Sequence, residues 1–266
     1  FYSISVLIES DRIHSIGFDS SIDEKKLSNF ITIPSFRKLS YFRVTNLKEI
    51  DIVSCAICFT NLTVLSLKSC NLLIGKVIET MSLYQFDYLK ELDLSGNFGT
   101  GFSFKQKKLN LLNQLKTLFV DDVKWDLENL IFFMNLCKES SLTLLSINNI
   151  MFVNSFEKEK KMKLFHKKYK IENEQDEWVN LFNNLPNRLN SISSLNWNSN
   201  KIDNKLIDFL LNSNELTHIS FTSCHITNLP YIKRLLINSK IQSVIISKLK
   251  TDKENSDLIQ FKEFLF

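Results

Sequence analysis

One spacing recurs through this chain and limits what it can fold into. In the stretch LKELDLSGN, apolar residues stand at relative positions 1, 4 and 6 (Leu89, Leu92, Leu94) and a small side chain stands at position 9 (Asn97). The same frame fits Leu62, Leu65, Leu67 and Cys70, then Leu115, Leu118, Val120 and Val123, then Leu142, Leu145, Ile147 and Ile150. It returns at Ile192, Leu195, Trp197 and Asn200, and at Leu216, Ile219, Phe221 and Cys224, with weaker copies starting at Ile13, Leu39 and Ile241. A unit this short cannot bury its apolar face alone, so neighbouring units must stack.

The frame has a direct physical reading. Side chains of a strand alternate, so positions 4 and 6 share one face, which goes to the core, and positions 3, 5 and 7 share the other. Position 9 turns the chain, where an Asn side chain can bond backbone groups that have no ladder partner. Starts at 13, 39, 62, 89, 115, 142, 192, 216 and 241 are about 25 residues apart, apart from one gap of 50. That leaves room for a helix in each return segment. Helices are predicted over Leu72–Tyr88, Asp126–Lys138, Asp176–Leu185, Asp203–Leu211 and Asn228–Ile237, with Asp203 or Asn204 as an N-cap.

The pattern and its length resemble the leucine-rich repeat family, which spans roughly 20–29 residues per unit. Asn or Cys at position 9 (Cys70, Asn97, Asn200, Cys224) is similar to the ribonuclease-inhibitor-like or cysteine-containing long-repeat subclasses, while Val123, Ile150 and Leu249 depart from them. The resemblance implies an α/β fold, a right-handed horseshoe solenoid with a parallel β-sheet on the concave face and helices on the convex face. It covers residues 1–266 as a single domain. Neither end reads as a polar cap, so the chain is expected to be a segment of a longer protein.

The gap of 50 holds the main anomaly. Residues 153–175 contain no 1-4-6 strand and are either a degenerate repeat or an insertion. Lys158, Lys160, Lys161, Lys163, Lys167, Lys168 and Lys170 crowd this segment, with Phe165, His166 and Tyr169 among them. Basic residues interleaved with aromatics suit a phosphate backbone or an anionic membrane surface. The run lacks Arg, which removes bidentate phosphate contacts, and a solvated helix or loop is the commoner meaning of such a run.

The sheet face is the expected binding surface. Its residues include Tyr41, Arg43, Thr63, Ser66, Glu91, Asp93, Phe119, Asp121, Ser146, Asn148, Asn196, Asn198, His218, Ser220, Thr222 and Ser243. The middle reads as acidic through Glu91, Asp93, Asp121 and Asp122, and Tyr41 and Phe119 are candidate exposed anchors.

Other chemistry finds little support. Cys55-x-x-Cys58 with Cys70 lacks a fourth zinc ligand at the required spacing. Gly96, Gly99 and Gly101 do not match a dinucleotide or P-loop spacing and read as a repeat turn. His14, His166, His218 and His225 belong to no catalytic motif, so no enzyme and no cofactor is expected. No apolar run approaches the roughly 20 residues of a membrane-spanning helix. The net charge of +4 demands no polyanion, and the odd count of 5 Cys points to an intracellular, cytoplasmic protein. The leading expectation is a non-enzymatic scaffold that binds another protein, with a cytoskeletal regulator among the roles it would suit, since the repeat length resembles that of the long-repeat group to which regulators of the capping-protein-linker and tropomodulin type belong. A ubiquitin-ligase substrate receptor, a nucleic-acid or anionic-surface contact through the Lys-rich segment, and a GTPase-activating solenoid of the Ran type stand as alternatives.

Overall fold

The computed structural model describes residues 14–18, 38–46, 61–84, 86–104, 109–153, 174–226 and 230–251. Along these the chain runs β1 (Ser15–Phe18), β2 (Tyr41–Thr45), β3 (Val64–Lys68), α1 (Ile74–Ser82), β4 (Glu91–Asp93), β5 (Phe98–Gly99) and α2 (Asn110–Gln114). It continues through β6 (Thr117–Phe119), β7 (Lys124–Trp125), α3 (Leu127–Lys138), β8 (Leu144–Ser146), β9 (Met151–Phe152) and α4 (Glu174–Asn184). The last units are β10 (Ser194–Asn196), β11 (Lys201–Ile202), α5 (Asn204–Asn212), β12 (His218–Thr222), β13 (His225–Ile226), α6 (Pro230–Leu236), β14 (Ser243–Ser247) and β15 (Lys250–Thr251).

Nine strands, β1-β2-β3-β4-β6-β8-β10-β12-β14, form one sheet in chain order, and every pairing is parallel. The register carries each repeat onto the next. Phe42, Leu65, Leu92, Leu118, Leu145, Leu195 and Ile219 make one continuous row at position 4. Position 6 follows with Val44, Leu67, Leu94, Val120, Ile147, Trp197 and Phe221, all fully buried. The inward faces of the helices close this core, for example Ile74, Val77, Ile78 and Met81 on α1 and Leu206, Ile207, Phe209 and Leu210 on α5. The fold is therefore an α/β solenoid with a large parallel sheet on one side and helices on the other.

Aromatic rings fill the space between layers. Trp125 stacks on Phe133 at 5.1 Å, and Trp178 bridges Phe152 and Trp197 at 5.1 and 6.4 Å. Gly99 is needed here, because a Cβ at that position would overlap the Trp125 ring.

The repeats whose position 8 is described turn there. Asn46, Ser69, Asp122, Asn149, Ser199, Ser223 and Lys248 all have φ between 50° and 58°, and Gly96 has φ 71°. This left-handed conformation favours Gly, Asn and Asp. It sends the position-8 N–H to the position-7 carbonyl of the next repeat, as in Ser69 to Ser95 and Ser199 to Thr222, both at 2.8 Å. Beyond the turn, two smaller parallel ladders, β5-β7-β9 and β11-β13-β15, continue the stacking.

Position 9 does what its residue types suggest. Asn97 Oδ1 accepts from the Cys70 and Leu72 amides at 2.9 and 3.0 Å, and Nδ2 donates to the Leu67 and Leu94 carbonyls at 2.8 Å each. Asn200 repeats this towards Ile150 and Ile147 at 2.7 Å. The Cys224 thiol donates to the Trp197 carbonyl at 3.0 Å. These side chains staple one repeat to its predecessor.

Helix boundaries shift modestly from expectation. The stretch expected as helix over Leu72–Tyr88 is helical only over Ile74–Ser82. Leu73 is taken by a parallel bridge to Phe98, and the chain leaves the helix through turn bonds at Leu83 and Tyr84. Asp203 is the N-cap of α5, accepting from the Leu206 amide at 2.9 Å, and Asp126 caps α3. Across the gap of 50, β8 pairs directly with β10, so the extra residues add no strand between them.

Candidate functional site

Three rows of side chains cover the outer face of the sheet, and the register fixes which residues are neighbours. Position 3 runs Tyr41, Val64, Glu91, Thr117, Leu144, Ser194, His218 and Ser243. Position 5 runs Arg43, Ser66, Asp93, Phe119, Ser146, Asn196, Ser220 and Ile245. Position 7 runs Lys68, Ser95, Asp121, Asn148, Asn198, Thr222 and Ser247.

Six of the nine candidate contact residues converge. Tyr41, Arg43, Glu91, Asp93, Phe119 and Asp121 line one depression of about 210 Å³ across β2 to β6, joined by Val64, Ser66, Lys68 and Ser95. Its sides differ in charge. Arg43 and Lys68 lie on β2 and β3, whereas Glu91 and Asp93 lie on β4 and Asp121 follows β6. Among the described residues none of these five forms an ion pair. Asn196, Asn198 and His218 sit further along, on and after β10 and on β12. His218 is exposed, with Nδ1 2.8 Å from the Thr217 hydroxyl.

The position-7 row is a hydrogen-bonded ladder. The Asp121 amide donates to Ser95 Oγ at 3.2 Å, and the Asn148 amide to Asp121 Oδ1 at 2.8 Å. The Asn198 amide donates to Asn148 Oδ1 at 2.7 Å, and the Thr222 amide to Asn198 Oδ1 at 2.6 Å. The reason lies in the backbone. Position-6 amides, such as Leu94 and Val120, bond forward to the next repeat. Position-7 amides face back, where the preceding chain has already turned away, and its position-7 side chain takes them. Asp93 is similarly engaged by the Ser66 hydroxyl at 3.1 Å and the Ser95 amide at 3.0 Å.

Several expected surface residues are placed differently. Ser66, Ser146 and Ser220 are buried, because short hydroxyls bonded to Asp93, Asp121 and Asn198 lie below the taller side chains around them. Tyr41 and Phe119 are half-buried. Thr63 is at position 2, and its hydroxyl donates to the Ser40 carbonyl rather than joining the face. Asp122 is not part of the acidic centre. It holds the left-handed turn, where its Oδ1 accepts from Asn149 Nδ2 at 3.0 Å.

Sequence reasoning missed Lys68 and Ser95, although both stand at position 7 and so belong to the face by the frame alone. It also missed a wider depression of about 610 Å³ at the rim, lined by Lys138, Glu139, Arg188 and Lys240 among others. Lys138 there lies in the last turn of α3, where a cation complements the helix dipole, and it pairs with Glu139 at 3.6 Å.

The thiols are inert in kind. Cys70, Cys137 and Cys224 are free and buried. Burial pushes the Cys137 thiol far up and the Cys224 thiol up to about 11. Among the described residues no group of His, Cys, Asp or Glu could hold a metal ion, and no helix is long and apolar enough to cross a membrane. Cys55, Cys58 and the basic run Lys158, Lys160, Lys161, Lys163, Lys167, Lys168 and Lys170 lie outside the described residues.

No family model and no curated protein matches this chain. Among solved structures it is similar to an internalin from Listeria monocytogenes at 20% identity and TM-score 0.47, over 95% of this chain and 64% of that one. It is also similar to internalin C2 from the same organism, at 15% identity and TM-score 0.38, over 81% of this chain and 83% of the other. A leucine-rich-repeat protein from Leptospira interrogans aligns at 15% identity and TM-score 0.37, over 96% and 72%. The chain thus spans just under two thirds of the first internalin. These likenesses are loose, and the repeat architecture rests on the registers and packing described above.

Proposed function

We propose that this chain is a protein-recognition scaffold, and that a partner docks on the outer face of the sheet over β2 to β6. The observation that carries this reading is the depression itself, where two cations and three carboxylates meet on a rigid sheet without pairing among themselves. Stacked repeats supply an extended, preformed surface, which lowers the ordering cost of binding. Tyr41 and Phe119 add half-buried aromatic area beside the charges, the residue mix of interface centres. Asn196, Asn198 and His218 extend the same face and would form its far end.

An intracellular setting agrees with three buried free thiols. The long-repeat subclass, the cytoskeletal role and the ubiquitin-ligase role rest on repeat length and on the position-9 residues. Since Asn97, Asn200 and Cys224 are accounted for as staples between repeats, they add nothing to a choice among those roles. The direct pairing of β8 with β10 supports reading the extra residues of the gap between them as an insertion rather than a further repeat.

The test is an affinity capture from lysate with quantitative mass spectrometry, comparing the wild-type chain with Arg43→Glu/Glu91→Lys and with Glu128→Lys on the helical side. Proteins bound by wild type and by the helical-side variant, but lost with the sheet-face variant, are the expected result. Equal recovery by all three would refute a sheet-face site.

A further inference from the structure

We propose that the depression over β2 to β6 selects a peptide segment carrying an acidic side chain and an arginine three positions apart. The acidic group sits against Arg43 and Lys68, and the arginine against Glu91, Asp93 and Asp121. This rests on the sheet face being the partner site and specifies what that partner must carry.

The charges are segregated by the register. Arg43 and Asp93 stand in the same row with Ser66 between them. Strands lie about 4.8 Å apart, so the two backbones are separated by about 9.6 Å. At that distance in water opposite charges attract by only about 0.4 kcal/mol, too little to draw the long side chains together. Lys68 and Asp121 repeat the arrangement one row on, with Ser95 between. Ser66 and Ser95 are both buried, so the ground between the charged sides is low and a ligand can settle there.

The acidic side is built to receive a guanidinium. Asp93 is oriented by the Ser66 hydroxyl and the Ser95 amide, and Asp121 by the Ser146 hydroxyl and the Asn148 amide. Two carboxylates held in place accept from a planar cation with little ordering cost. Phe119 pairs in register with Asp93 and precedes Asp121 by two residues, which places a half-buried ring beside both carboxylates. A ring beside carboxylates favours arginine, which stacks and bonds bidentately, over lysine.

The same arrangement discriminates against uniform charge. A phosphate backbone that met Arg43 and Lys68 would be driven against three carboxylates, and a polybasic segment would meet two cations. Only a segment with both signs satisfies both sides. An extended polyproline-II segment advances about 3.1 Å per residue and returns to the same face every third residue, so its charges would be about 9.3 Å apart. That matches the separation of the two sides.

The experiment is selection from a random peptide-display library on three proteins: wild type, Arg43→Glu/Lys68→Glu, and Glu91→Lys. None of these side chains makes a hydrogen bond or ion pair among the described residues, so the variants should fold, as circular dichroism will verify. Wild type is expected to enrich peptides with one Asp or Glu three positions from one Arg. Arg43→Glu/Lys68→Glu should bind those peptides at least tenfold more weakly and enrich dibasic ones instead, and Glu91→Lys should weaken the preference for Arg. Wild-type enrichment of apolar or single-sign peptides, or a charge pattern unmoved by the substitutions, overturns the inference and leaves the sheet-face reading standing. If no enriched peptide loses affinity in either variant, the sheet-face reading fails with it.

Discussion

Replacing Asn97 by Ala tests whether the position-9 staples hold the repeats in the register on which the site depends. Asn97 is buried, and its amide group serves five backbone atoms in two repeats. Truncation removes the oxygen that accepts from the Cys70 and Leu72 amides. A buried donor left unmade costs about 1–3 kcal/mol, so the two together set a range of about 2–6 kcal/mol. Leu72 is only half-buried, which lets water reach its amide and puts the expected loss near 3 kcal/mol. For a chain of this size that lowers Tm by about 6–12 °C. The assay is urea unfolding followed by circular dichroism, with a thermal melt beside it. Asn97→Asp should cost at least as much, because it keeps the acceptor, loses the donors and buries a charge. A loss under about 1 kcal/mol for Asn97→Ala would refute the staple argument.

Two further outcomes follow from helix α5 and from the thiols. Asp203→Ala should lose about 1 kcal/mol through the missing cap, whereas Asp203→Asn keeps an acceptor and should equal or exceed wild type at pH 7. The second expectation comes from burial, which raises the Asp203 carboxyl above its ordinary value against the opposing Leu206 and Lys205 amides. A raised acid stabilises the fold in full below its unfolded pKa, and that contribution is lost as pH rises through the folded one. Comparing pH 3 with pH 7 melts of the wild type and the Asn variant checks the sign. The Cys224 thiol, raised from 9.0 to about 11, should stay protonated in the folded chain up to that pH, and its stabilising contribution should fade between pH 9 and about 11. Peptide-resolved alkylation at pH 8 is therefore expected to spare Cys70, Cys137 and Cys224 until denaturant is added, and native labelling at any of the three would contradict their burial.

The strand frame was legible because it depends on periodicity alone: alternation put Leu65, Leu92 and Leu118 inside, and stacking put them in one row. The turn could have been read as fully. Position 8 holds Asn46, Ser69, Gly96, Asp122, Asn149, Ser199 and Ser223, a column of small or polar residues that tolerates positive φ, with Lys248 the exception. Counting Asp122 with the sheet face hid that column and inflated the acidic centre. The end of α1 was illegible for another reason. The apolar spacing from Leu72 onward suits a helix, but the bridge from Leu73 to Phe98 is a contact with the next repeat, which no local window contains. Burial of Ser66 and Ser146 was likewise a property of neighbours, set by the carboxylates beside them.

The candidate site shows why sequence alone could not separate architecture from recognition. Asp93 and Asp121 look like surface acids, yet Asp93 accepts from the Ser66 hydroxyl of the preceding repeat and the Ser95 amide of its own, and Asp121 from the Ser146 hydroxyl and Asn148 amide of the next. Asn148 and Asn198 do the same further along. From Ser95 to Asn198, position 7 is therefore committed to closing the ends of the strands, and its residue types there are limited to those that accept from an amide. Positions 3 and 5 carry no such duty at Tyr41, Arg43 and Glu91, so their identities are free to answer to a partner. Substitutions at Arg43 and Glu91 can therefore report on binding without touching the fold, while loss of function at Asp93 or Asp121 mixes two causes. The two roles nonetheless support each other. The bonds that close the strand ends also fix the carboxylates in place, and a carboxylate already oriented gives up less freedom when an arginine arrives.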